Sequence, residues 1–213
     1  MEKKMKNLIV FFALFTSIAN AAPIESASLT TQNKDANARY GVSNYKTVMP
    51  GVLFRGGSST SVRDQKGPLS GSSQEALCND GFDSAVYGYS TGWKGGDKSV
   101  NCAGGQLTYT MKRWDRPADL REVLKTVRDI IVEKKGAMYV HCYFGVHASG
   151  YIVTTALMQF CGLSASEGVA YWNSNVAKSI QYEKVQKMIR SFQPYSDLTI
   201  SAADQARVCP SGL

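Results

Sequence analysis

The sequence predicts an α/β protein with a mostly parallel central sheet flanked by helices on both faces. From Leu120 to Ile131, apolar residues recur every three or four positions, which is the strongest helical period of the chain. The β-branched and aromatic run 137–141 follows soon after and is typical of a buried strand, and the stretch 151–160 then predicts another helix. Strands that alternate with helices favour this fold class, in which the site lies at the carboxyl ends of the strands.

Turn residues divide the rest of the chain into shorter elements. Residues 22–45 are polar and predict a flexible N-terminal arm, so the globular domain spans 46–213. A capping box at Ser72–Glu75 predicts a helix that ends near Asn79, and the glycine-rich segment 91–105 predicts a loop. Further strands are predicted at 52–55, 82–89 and 107–111. After a stop at Gly162, a second capping box at Ser164–Glu167 predicts helices at about 165–173 and 176–192.

Residues 1–21 have the pattern of a secretory signal peptide. Lysines precede an apolar run from Leu8 to about Ile18, and Ala19-Asn20-Ala21 fits a cleavage site. A membrane anchor is the alternative interpretation, although the apolar run is short for a span. We therefore expect a periplasmic or secreted protein without stable membrane insertion.

The charge and the cysteines indicate which partners, disulfides and metal sites to expect. The formal net charge is +7, but basic residues are interleaved with acidic ones, as on a solvated surface, so no nucleic-acid partner is expected. The five cysteines indicate disulfides in an oxidising compartment, with one thiol left unpaired. Among the three possible pairings outside the 140–150 stretch we favour Cys78 with Cys102 and Cys161 with Cys209, the alternative being buried unpaired thiols. The histidines and cysteines lack the spacing of a zinc site, so no metal or other cofactor is expected.

The most informative segment is Val140–Gly150, which reads V-H-C-Y-F-G-V-H-A-S-G. It places Cys142 between the predicted strand and a helix whose first turn begins near Ser149. A loop in that position directs backbone N–H groups, and the positive end of the helix dipole, at the group above the cysteine. Such surroundings favour the thiolate form, so the segment predicts a nucleophilic cysteine in an anion-binding loop.

This segment resembles the signature of the cysteine-dependent tyrosine and dual-specificity phosphatases, His-Cys, five residues, then Arg-Ser or Arg-Thr. Cys142, Gly145 and Ser149 match that pattern, whereas Ala148 stands where the family has arginine. The order of the predicted elements from Val52 to about Phe192 is also similar to that of the compact family members. The resemblance implies a tyrosine-phosphatase-like fold.

The resemblance also implies a role for each residue of the loop. Cys142 is the nucleophile that forms a cysteinyl-phosphate, Ser149 helps the thiolate to leave, and His141 supports the loop. Backbone N–H groups hold the phosphoryl oxygens. The phosphate-binding residues are Tyr143, Phe144, Gly145, Val146, His147 and Ala148.

The family takes its general acid from an aspartate near the start of the preceding helix. We assign this role to Asp115, with Asp119 as the second candidate. The alternative is that Asp119 caps the helix and Asp115 pairs with a nearby arginine. Arg55 matches a family arginine that braces the fold.

The alanine at position 148 is the main departure from the family pattern. A loop arginine binds two phosphoryl oxygens at once, and loss of a comparable arginine costs about 10³ to 10⁵ in rate. Arg113 and Arg116, which flank Asp115, and a protonated His147 are the candidates to supply the missing charge.

Two functions follow from the resemblance. The first is a phosphomonoesterase that acts on a phosphorylated protein, on phosphotyrosine, or on a small anionic phosphate ester. The second is a catalytically impaired pseudophosphatase that binds phosphate-bearing ligands or acts as a scaffold. A sulfurtransferase, which also carries a cysteine in a loop before a helix, is a third interpretation, but His-Cys and the trailing Ser-Gly favour the phosphatase pattern.

Overall fold

The computed structural model describes residues 22–25, 29–177 and 181–211, so the predicted signal peptide lies outside the described residues. Six strands form one sheet: β1 Lys46–Met49, β2 Leu53–Gly56, β3 Ser84–Tyr87, β4 Lys98–Cys102, β5 Gly105–Met111 and β6 Met138–His141. Their order is β1-β2-β6-β3-β5-β4. The sheet is mixed, because β2, β6, β3 and β5 run parallel to one another while β1 and β4 are antiparallel to their neighbours.

Helices cover both faces of this sheet, as the sequence predicted. The described residues include the α-helices α1 Lys34–Tyr40, α2 Gly71–Asn79, α3 Pro117–Glu133, α4 Ala148–Cys161, α5 Ala165–Ser174, α6 Glu183–Ser191 and α7 Ala202–Val208. The alternation of side chains along each strand separates two cores. On β6, Met138 and Val140 belong to the core under α3 and α4, whereas Tyr139 belongs to the core that contains residues of α1 and α2.

Local signals placed several helix ends correctly. The capping box at Ser164 and Glu167 is present, with the Ser164 side chain accepting from the backbone N–H of Glu167 and the Glu167 side chain accepting from that of Ser164. The capping box predicted at Ser72 is wrong. Ser70 is the N-cap of α2, and its hydroxyl accepts from the N–H of Ser73.

Three further predictions differ from the structure. The segment 91–105 is not all loop, because it contributes β4, which pairs with β5 along its length. The segment 22–45, predicted to be a flexible arm, contains α1, and it buries Ala36, Tyr40, Val42 and Tyr45 in the core. In place of one helix over 176–192, α6 begins only at Glu183, and 178–180 lie outside the described residues. Aromatic packing explains the second difference, since the Tyr45 ring lies 5.9 Å from that of Tyr139.

Both favoured disulfides are confirmed. Cys78 is bonded to Cys102 and joins α2 to β4, and Cys161 is bonded to Cys209 and joins the end of α4 to the residue after α7. Cys142 is the free cysteine, and it is buried. Among the described residues, no helix has both the length and the apolar character needed to cross a membrane.

Candidate active site

Cys142 lies at the carboxyl end of β6, in the middle of the parallel part of the sheet. The chain bends through 143–147 and enters α4 at Ala148, with His147 as the N-cap. The Cys142 side chain is 3 % exposed, and its Sγ lies 3.4 Å from Oγ of Ser149, in the first turn of α4. The structure therefore brings the predicted nucleophile and the predicted serine into contact.

The backbone of this loop presents a group of N–H donors. Within the described part of the chain, seven of these N–H groups have no hydrogen-bond acceptor, and they belong to Tyr143, Phe144, Gly145, Val146, Ala148, Ser149 and Gly150. Consecutive N–H groups at the start of a helix form an anion-binding concavity, and the helix dipole adds to it. The loop has the features needed to bind an anion beside the Cys142 thiol.

Gly145 is required by the backbone of the loop. Its φ is +68°, and a Cβ atom placed there would lie 2.4 Å from the carbonyl carbon of Gly56 and 2.6 Å from the nitrogen of Gly57. A side chain would thus be strained by its own dihedral angle and would also overlap the end of β2. The glycine noted in the sequence pattern allows the loop to pack against the neighbouring strand.

A side chain from β2 and one from the turn before β1 bond to carbonyls of the loop. The Asn44 side-chain amide donates to the carbonyls of Phe144 and Gly145, at 3.1 and 3.0 Å. The guanidinium of Arg55 donates to the Gly145 carbonyl at 2.8 Å. These bonds are made to loop carbonyls, so they leave the loop N–H groups free to bind an anion.

Two buried cations lie together on these strands. Lys46 faces Arg55 across the β1–β2 pair; their side chains are 5 % and 0 % exposed, and neither forms an ion pair with a described carboxylate. Nε and Nη1 of Arg55 lack a partner among the described residues, while Nζ of Lys46 donates to Oδ1 of Asn175 at 2.8 Å. Burial, and then the charge of Arg55, lowers the pKa of Lys46 to about 8. Arg55 thus brings a positive charge to the Gly145 carbonyl of the loop, and no carboxylate among the described residues pairs with it.

His141 is held in one tautomer below the loop. Its Nδ1 lies 3.3 Å from the carbonyl oxygen of Cys142, which can only accept, so Nδ1 carries the proton. Nε2 therefore accepts from the hydroxyl of Tyr109, at 2.7 Å, and that oxygen in turn accepts from the N–H of Leu69 at 2.8 Å. Burial lowers the pKa of His141 to about 3, so the imidazole is neutral. A chain of hydrogen bonds thus connects Leu69, Tyr109 and His141 to the carbonyl of Cys142.

An ion pair joins two residues of the segment before α3 that carries the proposed acid, which we call the acid loop. Nε and Nη2 of Arg113 donate to the two carboxylate oxygens of Asp115, at 3.1 and 2.8 Å. The hydrogen bond from Arg113 is the main cause that lowers the pKa of Asp115. Asp119, in the first turn of α3, accepts from the backbone N–H of Arg113 at 2.6 Å and so ties this loop to the helix, but Arg113 precedes the N-cap Arg116, and the start of α3 has no side-chain capping hydrogen bond.

The candidates for the missing positive charge contact other groups in this structure. No hydrogen bond or ion pair among the described residues connects Arg113 or Arg116 to the Cys142 loop, and Arg116 is exposed at the N-cap of α3. His147 packs face to face on Tyr182, with ring centroids 4.4 Å apart. Phe144 is 50 % exposed, so it is not a core residue.

Ala148 itself has no exposed surface. A Cβ atom placed on Gly88, just after β3, would lie 3.2 Å from Cβ of Ala148. The backbone at the end of β3 thus packs against Ala148. The space for a long side chain is partly filled.

Sequence reasoning missed Asn44, Lys46, Tyr89 and Tyr109. The position of Lys46 could have been predicted, because the turn at Pro50-Gly51 indicates a hairpin that pairs Lys46 with Arg55. The other three are single polar or aromatic residues in segments distant from Cys142, and no local pattern marks them.

No protein-family model matches this chain, and no curated protein matches its sequence. The described residues contain no cluster of three or more His, Cys, Asp or Glu side chains placed to bind a metal ion. The groups that the structure offers for chemistry are a buried thiol with a hydroxyl beside it, a loop of N–H donors, and a carboxylate paired with arginine.

Proposed function

We propose that this protein is an exported, tyrosine-phosphatase-like protein that binds a phosphate monoester at the Cys142 loop and cleaves it through Cys142. The observation that carries this proposal is the free thiol at the base of a loop whose N–H groups have no acceptor in the described part of the chain. Two disulfides and the leader pattern support an oxidising, periplasmic or secreted location.

The reaction proceeds in two steps. The Cys142 thiolate attacks phosphorus, an S–P bond forms as the P–O bond to the leaving group breaks, and the leaving oxygen takes a proton from Asp115. Water then attacks phosphorus and gives a proton to the Asp115 carboxylate, the S–P bond breaks, and the hydroxyl of Ser149 donates to the departing thiolate. The phosphoryl oxygens are bound by the loop N–H groups throughout.

A second candidate function, phosphate binding without turnover, is favoured by two observations. Arg113 holds the Asp115 carboxyl in its ionised form, which cannot donate a proton, and Ala148 replaces the arginine that stabilises transition-state charge. We therefore expect turnover that is slower by about 10³ to 10⁵ than that of a site with the loop arginine.

Release of p-nitrophenol from p-nitrophenyl phosphate by the purified protein and by Cys142→Ser tests the proposal. Release that depends on Cys142, with a phosphorylated Cys142 peptide after acid quenching, supports the enzyme. Binding of inorganic phosphate without such release favours the second function. Sulfur transfer from thiosulfate to cyanide, in the absence of phosphate binding, contradicts both.

A further inference from the structure

Tyr89 occupies a position beside the Cys142 loop that the proposed mechanism does not use. It follows β3, whose carboxyl end lies next to that of β6. The N–H of Gly88 donates to the His141 carbonyl at 2.8 Å, and Gly88 packs against Ala148. The backbone just before Tyr89 is thereby fixed both to the strand that leads to Cys142 and to the position of the missing arginine.

The side chain of Tyr89 bridges the two halves of the proposed site. Its ring packs against that of Tyr143, the residue after the cysteine, with centroids 4.5 Å apart and an angle of 32° between the planes. On its other side, Tyr89 lines a surface cavity of about 280 Å³ together with Arg113 and Asp115. Tyr89 therefore contacts the nucleophile loop and also borders the acid loop.

The hydroxyl of Tyr89 is available as a donor. Within the described part of the chain, no hydrogen bond of this hydroxyl is found, and the side chain is half-buried. Burial raises the pKa of Tyr89, and the negative charges of Cys142 and of Asp115 are among the further causes. The phenol thus remains protonated at neutral pH, within electrostatic range of both reacting groups.

We propose that the Tyr89 hydroxyl donates a hydrogen bond to a phosphoryl oxygen bound at the Cys142 loop, and so replaces part of the contact that the family arginine makes. This inference rests on the proposed function. A phenol supplies one neutral donor where a guanidinium supplies two charged ones, so the replacement is partial.

The variant Tyr89→Phe removes the hydroxyl and keeps the ring that packs on Tyr143. It is introduced into Cys142→Ser, and inorganic phosphate binding is measured by isothermal titration calorimetry. The matched control is Tyr182→Phe, which removes a hydroxyl from an exposed tyrosine packed on His147. A hydrogen bond to a charged group predicts a loss of about tenfold to a hundredfold in phosphate affinity for Tyr89→Phe, and less than about twofold for the control.

The outcomes separate the two proposals. Weaker phosphate binding in Tyr89→Phe alone supports the inference, whether or not the Cys142 protein turns over p-nitrophenyl phosphate. Unchanged phosphate binding in Tyr89→Phe, beside measurable binding in its parent, overturns the inference and leaves the proposed function standing. If the parent Cys142→Ser protein binds no phosphate and the wild type releases no p-nitrophenol, both are overturned.

Discussion

The hydroxyl of Tyr109 donates to Nε2 of His141 across 2.7 Å, and this bond fixes a neutral imidazole directly before Cys142. Both side chains are fully buried. The other ring nitrogen of His141 donates to the carbonyl of Cys142. Because the imidazole stays neutral, His141 makes this bond without adding a group that titrates near neutral pH. It also links the stability of the fold to pH.

We expect His141 to destabilise the fold in acid. Burial lowers the pKa of His141 from 6.5 to about 3. Between these values the unfolded state binds a proton that the folded state does not, so stability is lost as pH falls from about 6.5 towards 3, by at most about 1.4 kcal/mol per pH unit. Urea unfolding from pH 7 to pH 4 measures this slope, and His141→Asn flattens it. The control is His147→Asn, which alters the other histidine; an equal slope in His141→Asn and wild type would contradict the assignment.

The ion pair between Arg113 and Asp115 predicts a shift in the pH profile. Arg113 lowers the pKa of Asp115, so the general acid loses its proton at lower pH than a free aspartate. Arg113→Gln raises that pKa, and the descending limb of kcat/KM then moves to higher pH. An NMR titration of the Asp115 carboxyl detects the same shift without turnover. Arg116→Gln, in the same loop but outside the ion pair, leaves both measurements unchanged; a shifted titration with an unshifted limb would exclude Asp115 as the acid.

Local sequence signals were enough for the elements around the cysteine. The helical period of α3, the capping box of α5 and the strand before Cys142 each depend on residues within one or two turns of each other. β4 and the folded segment before β1 depend on distant partners instead. β4 is joined to α2 through Cys102, and Tyr40 packs on Phe82 with ring centroids 5.8 Å apart. Neither contact gives rise to a hydrophobic period in the sequence from which it could be predicted.

The same division applies to the site. The contact between Cys142 and Ser149 was predictable because both lie in one loop and one helical turn. The environment of Ala148 was not, because its neighbour Gly88 comes from a strand far away in sequence. The sequence left two roles open for Arg113, supplying charge to the loop or pairing with Asp115, and the structure shows the ion pair with Asp115.

The two disulfides are expected to differ in their contribution to stability. Cys78–Cys102 and Cys161–Cys209 span 24 and 48 residues of sequence. Loop-closure entropy predicts that removing them costs about 3.5 and about 4.1 kcal/mol in the free energy of unfolding. Guanidinium unfolding of the double variants Cys78→Ala/Cys102→Ala and Cys161→Ala/Cys209→Ala measures both losses. A larger loss for the shorter loop would show that native contacts, rather than chain entropy, decide the difference.

Introducing an arginine at position 148 is expected to lower the free energy of unfolding of the protein without phosphate and to increase the rise in Tm that phosphate causes. Ala148 is fully buried against Gly88, so the stem of an arginine overpacks the start of α4, and we expect a loss of about 1–3 kcal/mol in the free energy of unfolding. Bound phosphate pairs with the new guanidinium, so inorganic phosphate raises the Tm of Ala148→Arg more than that of the wild type.

Val146→Arg is the matched control, because Val146 is half-buried in the same loop but packs against the core without being fully enclosed, as Ala148 is. It changes the net charge by the same amount, and we expect a phosphate response close to that of the wild type. Thermal unfolding of the three proteins with and without inorganic phosphate provides the comparison. An Ala148→Arg protein as stable as the wild type in the absence of phosphate would mean that the end of β3 yields to the new side chain. An equal phosphate response in Ala148→Arg and Val146→Arg would mean that position 148 does not face the bound anion.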